Sequence, residues 1–509
     1  MKKFRWIALF LASVMAVSLL AACSGDGAQT APEEEIDMSE YTNSSILGFG
    51  GSNDGSADIS EAIRKANASL KETEALYFPA GTYQVSQSVE ITCPVRMDGN
   101  VSVNVAAGTT LTVSGPMEAG NQKIFLGDGT VSITSPHTWG YPAWVDNGGM
   151  NAAEVLQKAV NSIRCIYVSD LGYRLTGIRI SKPTHLKGVG GMQVPLDLVD
   201  NTQTVFTIAS SDVTLENFKI QMKDASEDSV CFYFDTQKTS MENIRIENVD
   251  VHYGNCVVKD GESDENWVDN ALFSGLTAHQ TTNVPLILTD FRKGNKLVEV
   301  SILRRTSQGG NCDVAGIEVE NAEDMVFEHF DVNGDVSHQE ENGHGMVFRN
   351  CKGVKLYRCL MEYLGGSGFI VENCEDFYWE NTEVYTFYNI GYDIKGLKNS
   401  TFNSVKIYYT SANEGYVFKA RDNMILKDCQ NLTINSFISS GARDAALSMQ
   451  GCKDVTVNAY QTLYHKGAAL RDDGGNTNVN FYGVQVMNGN SNSIQLKDKG
   501  ITIHNEILG

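Results

Sequence analysis

A residue pattern that returns about every 23 residues constrains this chain more than any other feature. Four segments open on a cysteine, add two polar residues and then alternate apolar with polar: Cys351-Lys352-Gly353-Val354-Lys355-Leu356, Cys374-Glu375-Asp376-Phe377-Tyr378-Trp379, Cys429-Gln430-Asn431-Leu432-Thr433-Ile434 and Cys452-Lys453-Asp454-Val455-Thr456-Val457. Ala322 opens the same pattern before Met325, and Leu397 opens it before Ser400. From Ala322 onward the opening positions stand 29, 23, 23, 32 and 23 residues apart, so two copies carry insertions. A unit this small cannot bury its apolar face alone, whereas stacked units share one continuous core. The runs are short, alternate with period two and are punctuated by Gly and Asn, which is strand behaviour. No helix-length amphipathic run separates them, which excludes an α/β barrel or doubly wound sheet. Antiparallel strands of a sandwich would not repeat one pattern in one direction. The expected fold is all-β: a right-handed parallel β-helix, right-handed because parallel crossovers strongly prefer that hand.

A second strand precedes each opening residue, and its register is readable. After Gly316, Gly345, Gly368, Gly391 and Gly415 stand Ile317, Met346, Phe369, Tyr392 and Tyr416, with Val319, Phe348, Val371, Ile394 and Phe418 two further on. These positions point inward and the alternate ones outward. One outward column reads Glu320, Arg349, Glu372, Lys395, Lys419 and Gln450; its neighbour reads Glu318, Val347, Ile370, Asp393, Val417 and Ser448. Asn321, Asn350 and Asn373 share the inward parity and are expected to stack as an amide ladder.

The N-terminus indicates export. Lys2, Lys3 and Arg5 precede an apolar stretch at 7–20, and Leu20-Ala21-Ala22-Cys23 is a small-residue cleavage site followed by cysteine. This resembles the lipobox of bacterial lipoproteins, which implies a signal peptide at 1–22, lipidation of Cys23, a membrane partner through that lipid, and an extracytoplasmic location. Residues 23–44 are small, acidic and aperiodic, as a flexible tether would be. Residues 45–509 read as one β-helix domain, with the cap and first coil at 45–90. A formal net charge of −22 excludes nucleic acid as a partner, since phosphate contacts require Lys and Arg clusters. The spacing of the 11 cysteines matches no zinc pattern, and their pairing is not readable. The expectation is a monomer without cofactor or metal.

Phe49-Gly50-Gly51-Ser52-Asn53-Asp54-Gly55-Ser56-Ala57-Asp58 begins a run that continues to Ala66, and Leu76-Tyr77-Phe78-Pro79-Ala80-Gly81-Thr82-Tyr83 follows. This resembles the opening motif of the pectate-lyase superfamily, which includes rhamnogalacturonase- and epimerase-like proteins and phage tailspikes. Asn53 stands where that motif has glycine, and Ala57-Asp58-Ile59-Ser60 replaces its usual T-D-D-T. Ser56 or Asp58 is expected to N-cap a helix with Ala62, Ile63, Ala66 and Leu70 on one face, plugging the solenoid end. The resemblance implies the fold; its members include hydrolases, lyases, epimerases and non-cleaving binders.

Gly343-His344-Gly345 resembles the G-H-G of polygalacturonases, with Asn311-Cys312-Asp313 and Asp335 as partial echoes of that family's acidic motifs. The second aspartate and the downstream R-x-K are missing. The register also aligns His344 with Ala315, Ser367, Ile390 and Ala445, a solvated position at the start of a coil. The outward columns offer a better candidate. Coils sit about 4.8 Å apart, so Glu320 and Glu372 would be about 9.6 Å apart, near the roughly 6.5–9.5 Å of an inverting glycosidase pair. Arg349, Lys395 and Lys419, with Asp393 and His344, would then bind substrate, the cations pairing with uronate carboxylates. The same columns also read as a surface salt-bridge ladder. Tyr363, Phe387, Tyr388, Tyr408 and Tyr409 are available for sugar stacking, and Trp139 and Trp144 for a loop over the groove. The expected function is a surface-anchored glycoside hydrolase whose partner is a pectin-like, uronic-acid-containing polysaccharide. The alternatives are a lyase, for which Asp393 with Lys395 is the nearest arrangement, and a non-catalytic glycan-binding β-helix.

Overall fold

The computed structural model describes residues 36–169, 174–190, 193–223, 225–304, 313–334, 343–408, 422–487 and 493–508. Among these, twenty strands form one sheet and thirteen form a second, with smaller sheets of four, four and three strands towards the N-terminus. Each strand pairs in parallel with its counterpart one coil on, as in Glu320↔Arg349, Arg349↔Glu372 and Glu372↔Lys395. This is the expected parallel β-helix. Many strands of the larger sheet bend at a residue of positive φ, including Asn217 (67°), Asn248 (50°), His329 (51°), Asn381 (52°) and Ser404 (61°). Asparagine tolerates this backbone better than most residues. In Val326–Asn333 the bend at His329 shifts the alternation by one, so that Phe327, Phe330 and Val332 all face inward. Each coil therefore has three sides: the thirteen-stranded sheet, then a first and a second arm of the larger one.

The core is a set of stacked columns. Ile317, Met346, Phe369, Tyr392, Met424 and Leu447 are successive partners, all with 0% exposure. Phe369 stacks on Tyr392 at 4.8 Å and Trp379 on Phe402 at 5.0 Å, the offset geometry that aromatic pairs prefer. The opening cysteines 351, 374, 429 and 452 are buried free thiols in the same stack. Gly368 opens its strand because two coils approach closely there. A β-carbon on it would meet the Gly391 carbonyl oxygen at 2.5 Å and Val384 at 2.7 Å. We expect Gly368→Ala to lower stability by about 1–3 kcal/mol through overpacking. Gly99, with open space around it, should accept alanine within about 0.5 kcal/mol; urea midpoints of the two variants make the comparison.

Four expectations are corrected. Lys427 of the strand Asp422–Lys427, not Lys419, follows Lys395 in the column; the strand expected at 415–419 lies outside the described residues. The reason is the turn: Asp428, at φ 53°, links Lys427 to Cys429 in a single residue, as Asn321, Asn350 and Asn373 do in other coils. Such a turn has no room for an insertion, which must enter before the strand. Those three asparagines are exposed at positive φ, not stacked inside, because the left-handed turn rotates them outward. Amide-to-amide bonds run instead from Asn248 to Asn217 (3.0 Å) and along Asn458, Asn435 and Asn403 (3.2 and 2.5 Å).

The helix Ser60–Ser69 buries Ala62, Ile63 and Ala66 as expected, but its N-cap position is Ile59. Asp58, one residue earlier, accepts from the backbone N–H groups of Ser60 (3.2 Å) and Ser86 (2.9 Å), tying the helix start to the first coils. Trp139 and Trp144 do not overhang a groove: they are 6% and 0% exposed. The Trp144 indole N–H donates to the Gly120 carbonyl at 2.8 Å, and Trp139 stacks on Tyr167 at 4.6 Å. A helix not anticipated from the sequence, Ala152–Ser162, follows them. It is capped by reciprocal Asn151–Glu154 bonds and buries Ala153, Leu156, Ala159 and Val160.

Candidate functional site

On the thirteen-stranded sheet, Glu320, Arg349, Glu372 and Lys395 share one outward column, as their spacing predicts. The charges of Arg349, Glu372 and Lys395 are largely spent on one another. Glu372 has Arg349 Nε at 3.4 Å and Lys395 Nζ at 3.7 Å, and Lys395 also reaches Asp393 at 3.3 Å. Beside this ladder Val347 is 1% exposed and packs with Val284 and Ala315, so the neighbouring column is an apolar patch, not an open groove. Exposed ion pairs of this kind contribute little stability, and here they place a cation beside each oxygen of Glu372.

His344 is also in a different state from the one expected. It is half-buried, not solvated; burial, then the nearby Arg304 and Arg349 charges, push its imidazole down to about 4. The neutral ring accepts the Ser367 N–H on Nδ1 at 3.1 Å, and its carbonyl accepts from Gly316 at 2.9 Å. Its role is to fasten neighbouring coils. Lys419, Cys23, Tyr409, Asn311, Cys312 and Asp335 lie outside the described residues.

The second arm of the larger sheet carries a different set of groups. The outward residues here are Asp331 and Asn333, then Leu360 and Glu362, then Glu383 and Tyr385, then Lys406 and Tyr408, on four successive coils. Asp331 is opposite Leu360 and Glu362 is opposite Asn333, so the two carboxylates are one coil and two residues apart. With 4.8 Å between strands and about 3.3 Å per residue, that offset is about 8 Å. Asp331 makes no hydrogen bond or ion pair among the described residues, and burial pushes its carboxyl above the ordinary range against the opposing pull of His329. Glu362 accepts the Asn333 amide at 3.1 Å. Glu383 is held on both oxygens, by Lys406 Nζ at 2.5 Å and the Tyr385 hydroxyl at 2.8 Å. Tyr385 and Tyr408 stack at 5.0 Å with 22° between their planes, half-buried and facing outward.

Of the aromatics marked in the sequence, Tyr408 therefore lies on this strip. Tyr363, 45% exposed, follows Glu362 directly, whereas Phe387 and Tyr388 are buried at 0% and 4%. One carboxyl raised by burial, a second hydrogen-bonded to a neighbouring amide and a pair of stacked tyrosines therefore share one outward face.

Residues 44–136 match the family model of rhamnogalacturonase A/epimerase, pectate lyase-like proteins. Over this stretch the chain is similar to pectate-lyase-like proteins. The matched residues hold the capping helix and first coils and none of the Asp331 strip, so the match bears on the fold and not on the chemistry of that strip. No curated protein matches the sequence. Among solved structures, PfbA, a surface adhesin of Streptococcus pneumoniae, is 12% identical, with 84% of this chain and 91% of that one covered and a TM-score of 0.36. DFA-IIIase from Arthrobacter chlorophenolicus A6 is 10% identical, with 91% and 98% covered and a TM-score of 0.37. The A-module of the Azotobacter vinelandii mannuronan C-5 epimerase AlgE4 is 12% identical, with 91% and 100% covered and a TM-score of 0.25.

Proposed function

We propose that this chain is a polysaccharide-active glycoside hydrolase of inverting type, with Asp331 as general acid and Glu362 as general base. The observation that carries this is the contrast between the two carboxyls. Asp331 has no side-chain partner among the described residues and is raised by burial, Glu362 accepts the Asn333 amide, and their register offset of about 8 Å falls inside the roughly 6.5–9.5 Å that leaves room for a water. In the reaction Asp331 donates its proton to the glycosidic oxygen as the bond to the anomeric carbon breaks. Glu362 takes a proton from the water that attacks the opposite face. Tyr385 and Tyr408 would stack on a sugar ring, and Lys406, fixed by Glu383, would bind a hydroxyl.

The substrate reading also shifts. Pectin-like glycan was expected from Arg349, Lys395 and Lys419, but Arg349 and Lys395 are engaged by Glu372 and Asp393. The Asp331 strip presents three carboxylates to one lysine, which repels uronates and suits a neutral polysaccharide. The proposal includes a lipid anchor at Cys23 that holds the solenoid outside the cell; radiolabelled palmitate incorporation by the expressed chain checks it.

The test is to incubate the purified protein with a panel of neutral and acidic glycans, scoring reducing ends and unsaturated products separately. New reducing ends of inverted anomeric configuration are the expected result. Unsaturated products would make it a lyase, and binding without turnover on any glycan would make it a non-catalytic binder; either outcome overturns the proposal.

A further inference from the structure

Three coils before Asp331, the same arm carries a cluster that the hydrolytic site does not use. Asp250 and His252 lie on the strand Ile244–His252, and His279 lies one coil on, on Leu272–His279. His252 is the direct register partner of His279, and Asp250 shares their outward parity. The two imidazoles stack at 4.2 Å with 9° between their planes. Both Nε2 atoms converge on one carboxylate: that of His252 stands 2.9 Å from Oδ2 and that of His279 stands 3.1 Å from Oδ1. Yet Oδ1 is buried and accepts no hydrogen bond of good geometry, although His279 is within reach. A buried carboxylate oxygen left in this state is unusual, and a cation between the three groups would satisfy it.

We propose that Asp250, His252 and His279 bind a divalent transition-metal ion, zinc or one of similar borderline character. Ligands held about 2.0–2.1 Å from a tetrahedral ion stand about 3.3 Å apart, close to the separations already present. Two imidazoles and a carboxylate suit zinc, cobalt or nickel; calcium and magnesium prefer all-oxygen sets. Three protein ligands leave an outward position open to water or an oxygen of a bound molecule. The Lys219 ammonium is 3.7 Å from Oδ2, but its side chain is 42% exposed and free to turn into solvent. The site lies about 14 Å from Asp331, three coil steps of about 4.8 Å. It does not depend on the hydrolytic reading.

The test is to strip the full chain with a chelator and titrate it with Zn²⁺, using Co²⁺ as a visible-absorption probe and Ca²⁺ as control. One equivalent of Zn²⁺ should bind with micromolar or tighter affinity, Co²⁺ should develop d–d absorption, and Ca²⁺ should not compete. His252→Ala and His279→Ala should each weaken Zn²⁺ by about 100-fold or more, and His504→Ala should leave it unchanged. Circular dichroism of each variant confirms folding, which the outward, half-buried placement of these rings should preserve. Absence of stoichiometric Zn²⁺ binding by the folded protein would overturn the assignment, as would undiminished binding in both histidine variants.

Discussion

Replacing Asp331 with asparagine will lower glycan turnover by about 10²–10⁴-fold, the range supplied by a positioned general acid, while leaving glycan affinity nearly intact. Asparagine keeps the shape and removes only the proton that departs with the glycosidic oxygen. Glu362→Gln should cost a comparable factor, because it removes the base that takes the proton of the attacking water in an inverting pair. The two substitutions differ in their pH signature. Burial raises the Asp331 carboxyl, and a general acid works only while protonated, so kcat/KM of the native protein falls as pH rises through that raised value. That alkaline limb disappears in Asp331→Asn and persists in Glu362→Gln. Glu320→Gln and Glu372→Gln should change kcat/KM by less than about threefold, since Glu372 is engaged by Arg349 and Lys395 and both lie on the other sheet from Asp331. Steady-state kinetics across pH 4 to 9 read all four variants. Loss of activity in the Glu320 and Glu372 variants, with Asp331→Asn silent, would return the chemistry to the thirteen-stranded sheet.

Much of the solenoid is legible because stacking forces like residues onto like positions. Ile317, Met346, Phe369 and Tyr392 announce an inward column by recurring at the coil period, and the structure pairs them in that register. The reading failed in one coil: 415–419 carries the same alternation in sequence, but the strand paired with Tyr392–Lys395 is Asp422–Lys427, joined to Cys429 by the one-residue turn at Asp428. The candidate site was missed for a related reason. Its strands lie beyond a bend, where His329, Asn381 or Ser404 shifts the alternation by one and hides the period. A signal was nevertheless present: Asp331, Leu360, Glu383 and Lys406 are spaced 29, 23 and 23 residues apart, matching the openings from Ala322 to Leu397. The His252–His279 pairing is recoverable only with the register of coils that lack the cysteine anchor. Whether a charge is paired or free depends on rotamers and neighbouring loops, and no spacing rule reports that.

Removing the Arg471 guanidinium should be the most damaging surface-side change to stability, with a pH dependence that identifies its cause. Asp422 is 4% exposed and receives both terminal nitrogens of Arg471, at 3.0 and 2.7 Å, with the Ser448 hydroxyl at 3.2 Å. Burial pushes the Asp422 carboxyl up despite this partner, so desolvation already outweighs the attraction. Arg471→Ala leaves the carboxylate buried with one hydroxyl for company. The expected loss at pH 8 is about 2–4 kcal/mol, below the 3–5 of a fully buried pair because the guanidinium is 29% exposed. The sign with pH follows from linkage. An acid whose folded-state pKa is raised stabilises the fold below its unfolded value, near 3.8, and that stability is lost as pH rises through the folded value. Arg471→Ala raises the folded value further, so its deficit relative to the native protein should be small at pH 4, grow with pH, and level off once Asp422 ionises. Asp422→Asn should remove most of the extra loss at pH 8 when combined with Arg471→Ala. Urea midpoints at pH 4.5 and 8 decide the matter: an equal deficit at both would mean that Arg471 acts through packing of its stem, not through the buried charge.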